Sequence, residues 1–86
     1  MEKPKITYLD QKQPALEELQ KLVGGYIQVV TSLKDGRQIV IDEEGKLKDK
    51  EPNIEATKIW LGNDIGRWFD FLVGDVVILS GKAKLT

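Results

Sequence analysis

The sequence predicts one small α+β domain, a mixed or antiparallel sheet of about four strands with two short helices in the order β-α-β-β-α-β. Three observations predict it. Two stretches carry apolar residues at helical spacing between helix start and stop residues, and four short runs are rich in β-branched residues. The chain of 86 residues is long enough for one core but too short for two, so residues 1–86 are read as a single domain.

Residues 5–9, Lys5-Ile6-Thr7-Tyr8-Leu9, give the first strand, at a sheet edge because Pro4 and Lys5 discourage further pairing. Pro14 suits the first turn of a helix over residues 14–23, with Glu17 and Glu18 near its positive end. Leu16, Leu19, Leu22 and Val23 form its apolar stripe, and Gly24 stops it. Residues 26–31 and 38–42 flank the turn signal Asp35-Gly36 and read as a β-hairpin. Val29 beside Val30, and the continuous Ile39-Val40-Ile41, put apolar side chains on both faces, which places the hairpin centrally with something covering each face.

Asp42-Glu43-Glu44-Gly45 closes that strand, and residues 46–51 make a polar connection with Leu47 as its apolar anchor. Asn53 is an N-cap for a short helix whose one side holds Ala56, Ile59 and Trp60 and which ends at Gly62. Residues 63–66 are a loop. Residues 67–72 are aromatic and fit a strand or a helical turn, because neither period is sustained. Val73-Gly74-Asp75 turns the chain into Val76-Val77-Ile78-Leu79, a buried strand, and the tail 81–86 is exposed with Leu85 as its apolar hook. The element order is formally that of a ferredoxin-like split βαβ unit. A curved mixed sheet with a helix on one face, the other covered by a second subunit, fits the pattern equally.

Composition narrows the function classes. Thirteen Lys and Arg against 14 Asp and Glu give a formal charge of -1, which supplies no overall positive field to draw in nucleic acid. The absence of cysteine excludes a disulfide framework and fits a reducing cytoplasm. No signal-peptide pattern and no long apolar run are present, which argues against secretion and membrane insertion. Without histidine and cysteine, the usual general base, the commonest zinc ligand and the thiolate nucleophile are missing. The expectation is a protein that is not an enzyme, with no catalytic residue, no metal ligand and no cofactor.

Individual motifs agree. Asp42, Glu43 and Glu44 lack calcium-loop spacing and read as a solvated turn. Gly24-Gly25 follows a helix instead of preceding one, so it does not make a phosphate cradle. Lys46, Lys48 and Lys50 alternate and, with Arg37, suit phosphate contacts if extended, but Asp49 and Glu51 dilute their field and favour a solvated polar edge. Trp60, Trp68, Phe69 and Phe71 are the most informative group. Core packing is their ordinary role, whereas exposed they form an anchor rimmed by Arg67, Asp64 and Asn63. The candidate binding residues are Trp60, Trp68, Arg67, Arg37 and Asn63.

The blocks Gly24-Gly25-Tyr26-Ile27, Asp35-Gly36-Arg37, Glu43-Glu44-Gly45-Lys46-Leu47, Pro52-Asn53 and Val73-Gly74-Asp75-Val76-Val77-Ile78 together resemble a small domain family of unknown function common in bacteriophages, prophages and mobile elements. Residues 54–72, with Trp60, Trp68 and Phe69, depart from that pattern. The resemblance implies a phage-type accessory protein in the host cytoplasm and carries no catalytic residue across. The expected role is binding a host protein or sequestering a small signalling nucleotide, with a homo-oligomer allowed. The alternative is a structural or regulatory module that self-assembles or pairs with a larger phage protein.

Overall fold

The computed structural model describes residues 3–86; Met1 and Glu2, part of the stretch searched for a signal peptide, lie outside them. Its elements are β1 (Ile6–Leu9), α1 (Leu16–Val23), β2 (Ile27–Thr31), β3 (Gln38–Asp42), α2 (Ile54–Leu61) and β4 (Val76–Leu79), with 3-10 turns at Ile65–Arg67 and Gly81–Ala83. The predicted α+β class and element order are those observed. The sheet runs β1-β4-β3-β2, with β1 parallel to β4 and the other neighbours antiparallel.

Strand periodicity sorts the core into two layers. Val40, Val77 and Leu79 point to one face and pack with Leu19 and Val23 of α1 and with Ala83. Ile39, Val76 and Ile78 point to the other, against Ala56 of α2 and Leu72. Each helix covers its own face, so the apolar run of β4 is buried throughout. A second subunit is therefore not what covers the second face of β3 and β4. The strand order and the helices on opposite faces also replace the ferredoxin-like alternative.

Other expectations shift by specific causes. Only β3 of the hairpin is internal; β2 forms an edge, and Val29 remains partly exposed there. The first helix begins at Leu16 with Ala15 in the cap position, so Pro14 precedes it and is itself buried. Gly24 ends it in the left-handed conformation, φ +86°, with its N–H donating to Gln20 O at 2.8 Å. Leu47 does not anchor its connection, being 83% exposed. Residues 43–49 form successive turns, so the lysines do not align along an extended edge. At the C-terminal end, Gln38 clasps Leu85 from both sides, its Oε1 accepting from Leu85 N and its Nε2 donating to Leu85 O. Among the described residues, no helix is long and apolar enough to cross a membrane.

Candidate functional site

A groove of about 380 Å³ opens on the α2 side of the sheet, between the β2–β3 surface and residues 69–73. Alternation along the strands supplies its floor, because Gln28 and Val30 of β2 share a face with Ile41 and Glu43. Trp60 forms one wall, Phe69, Phe71 and Leu72 the other, and Lys46 and Leu47 stand on the turn at its mouth.

The turn after β2 fixes Trp60 from below. Ser32 Oγ donates to Ile59 O at 2.9 Å and Leu33 N to Trp60 O at 3.0 Å, satisfying carbonyls that the last turn of α2 leaves unpaired. Phe69 meets Trp60 edge-to-face at 5.4 Å, and Trp68 meets Phe71 in the same way at 5.5 Å. Trp68 Nε1 also donates to Gly62 O at 2.9 Å, which folds the aromatic segment back onto the end of α2. The outer rings remain open to solvent, with Phe69 73% and Phe71 43% exposed.

Charge at the groove is acidic on balance. Lys46 Nζ is ion-paired with Asp70 across the mouth, joining the 43–49 turn to the 69–73 segment. That ammonium, with the Phe71 N–H donating to Asp70 Oδ1, holds the Asp70 carboxyl below the usual carboxylate range against a smaller opposing effect of burial. Glu43 adds a second carboxylate, and Lys46 is the one cation lining the groove among the described residues.

Of the five residues nominated from sequence, Trp60 alone lines the groove. Trp68 supports it from behind through Phe71. Arg67 is 82% exposed at its side chain and lies 3.5 Å from Asp64, and Asn63 is exposed beside them. Arg37 sits on the β2–β3 turn, where its backbone N–H, helped by the Ser32 hydroxyl and by its own guanidinium at 2.9 Å, holds the Asp35 carboxyl low against a smaller opposing effect of burial. The anchor is thus rimmed by Gln28, Glu43, Lys46 and Asp70, not by Arg67, Asp64 and Asn63. The alternation of Phe69 with Phe71, and of Gln28 with Val30, was the available signal for these residues.

A second polar centre lies behind the groove. The side chain of Asp42 is 1% exposed, with Lys48 Nζ at 2.9 Å and Lys50 Nζ at 2.8 Å. Burial opposes its ionisation, but the two ammoniums and the Glu44 N–H outweigh that and hold the carboxyl far below the usual range. The same ammoniums donate onward to Gly24 O and Val23 O at the negative end of α1. Lys48 and Lys50 are therefore structural. Among the described residues, no group of three or more His, Cys, Asp or Glu side chains is placed to hold a metal ion.

Comparison with curated proteins and with solved structures found no match. The family comparison did: residues 1–85 match the model described as a domain of unknown function, DUF3846, and the chain belongs to that family.

Proposed function

We propose that this chain is a non-enzymatic, phage-type accessory protein that counteracts a host system in the cytoplasm by seating a segment of a host protein in the aromatic groove. One observation carries this reading: the groove joins open aromatic rings to a rim whose carboxylates outnumber its cations. Exposed Phe69, Phe71 and Leu47 supply apolar area to an incoming side chain, in the manner of an interface anchor. Glu43, Gln28 and the Lys46–Asp70 pair supply a polar rim.

The same rim weighs against a sequestered nucleotide. Phosphates entering the groove meet Glu43 and Asp70, and Lys46 is already engaged by Asp70. Arg37 and Arg67, the cations a nucleotide trap needs, do not line it. The alternative of a self-assembling or structural module is favoured by a separate observation, the open edge of β2.

The test uses purified wild-type protein as bait in host extract beside two variants, Leu47→Glu and Phe69→Asp, each altering an exposed residue. The expected result is a protein captured by wild type and lost with both variants, and no nucleotide released when the purified protein is denatured and its extract examined by mass spectrometry. Capture indifferent to both substitutions, or a stoichiometric nucleotide in the extract, would overturn the reading.

A further inference from the structure

We infer that the open edge of β2 pairs with the β2 of a second copy of this chain, making a two-fold dimer with one continuous eight-stranded sheet. This rests on the edge strand alone and stands apart from the host-protein reading of the groove.

The hydrogen-bond register determines which groups the edge offers. Tyr26 O accepts from Glu43 N, and Ser32 N donates to Arg37 O, so residues 26 and 32 turn their backbone groups toward β3. Antiparallel pairing alternates by two, so Gln28 and Val30 do the same. The N–H and C=O of Ile27, Val29 and Thr31 consequently point away from the sheet. That spacing is self-complementary. A two-fold axis beside Val29 sets Val29 opposite Val29 of the partner subunit and Ile27 opposite Thr31 of the partner subunit, each pair exchanging both backbone bonds.

Charge selects the same occupant. A two-fold axis brings identical surfaces together, so a charge at or next to the axis of a self-pairing strand meets its like across it. Ile27-Gln28-Val29-Val30-Thr31 carries none, and it has no proline or glycine to blunt it. The opposite edge is built differently: β1 has four residues and is approached through Pro4 and Lys5. Tyr26, Val29 and Leu33, along and just beyond β2, are all exposed apolar residues, 67%, 39% and 70% respectively. In the two-fold register Val29 packs beside Val29 of the partner subunit, so pairing covers the exposed apolar residue at the centre of the strand.

The dimer also has a consequence for the groove. Gln28 and Val30 line its floor, and in this register each lies opposite the other's counterpart in the partner subunit. A two-fold axis perpendicular to the sheet keeps both grooves on one face. They then meet as a single trough.

Sedimentation equilibrium of the full chain tests the pairing with Val29→Lys at the proposed axis and Tyr8→Lys, an exposed position on β1, as control. The expected result is twice the 9.7 kDa chain mass for wild type and Tyr8→Lys, and the single-chain mass for Val29→Lys with its circular dichroism intact. A second variant covers failure of the lysine substitution to fold. In this cysteine-free chain Val29→Cys places two thiols across the axis within disulfide reach, and oxidation is expected to link it far faster than Tyr8→Cys. A monomeric wild type, a folded Val29→Lys that remains dimeric, or equal cross-linking of the two cysteine variants would overturn the inference.

Discussion

Asp42 turns three separate stretches of chain into one unit: the end of β3, the turns that follow it, and the C-terminus of α1. Its buried carboxylate has two lysine partners and a backbone donor, so removing it takes the shared acceptor from two partly exposed ammoniums and the Glu44 N–H. Asp42→Asn is expected to lower unfolding stability by roughly 2 kcal/mol in urea titration. Because the folded-state pKa lies below the unfolded one, the contribution of this carboxylate is fully present above the ordinary aspartate range. It is lost progressively as pH falls below about 4. Stability measured against pH should therefore show an acid decline in wild type that is shallower in Asp42→Asn. Exposed Phe69 behaves differently: Phe69→Asp gives up only the edge-to-face contact with Trp60 and should cost no more than about 1 kcal/mol, which a thermal melt will check. At this scale the sequence showed acidic residues leaving a strand and three lysines nearby. It did not show that two of those lysines converge on one acid, because that depends on the turns of residues 43–49, which no periodicity announces.

For α2 the governing feature is Asn53, legible as an N-cap because Asn precedes a helical stripe three residues before Ala56. The structure gives it more to do. Its Oδ1 accepts from Ala56 N, while Nδ2 donates to Gly74 O at 2.9 Å and to Lys5 O at 3.3 Å. Thr57 Oγ1 completes the arrangement, donating to Asn53 O and accepting from Leu72 N. These bonds pin the start of α2 to the chain leading into β1 and to the segment carrying the groove's outer wall. Asn53→Ala should cost roughly 2–3 kcal/mol by chemical denaturation, from a lost cap and a buried Gly74 carbonyl that loses its donor, while Lys5 O keeps Val76 N. Asn53→Asp retains the cap acceptor but sets a carboxylate against those carbonyls, so it should not restore wild-type stability. The onward bonds were invisible in sequence because their partners lie 21 and 48 residues away. Residues 67–72 were ambiguous for a related reason. Trp68 and Phe71 hold that stretch by side-chain contacts, with the bridge between Pro52 and Val73 at its end, and such a path has no period to read.

Across the whole molecule, hydrophobic pattern gave the element order and the two-faced burial of β3 and β4, and Pro4 with Lys5 gave the edge position of β1. It could not order the strands. A continuous apolar run such as Val76-Val77-Ile78-Leu79 states that both faces are covered without saying by which helix, so the division of α1 and α2 between opposite faces emerged only in three dimensions. The same division gives the groove its position, on the α2 side, away from α1. A direct measurement follows from that geometry. A photo-reactive amino acid is placed, in separate variants, at Leu47, at Phe69 and at Glu17 on α1, and each protein is irradiated in its native cell. The account predicts a covalent adduct with the same host protein from Leu47 and Phe69 and none from Glu17. No adduct from either groove position, or equal adducts from all three, would contradict it.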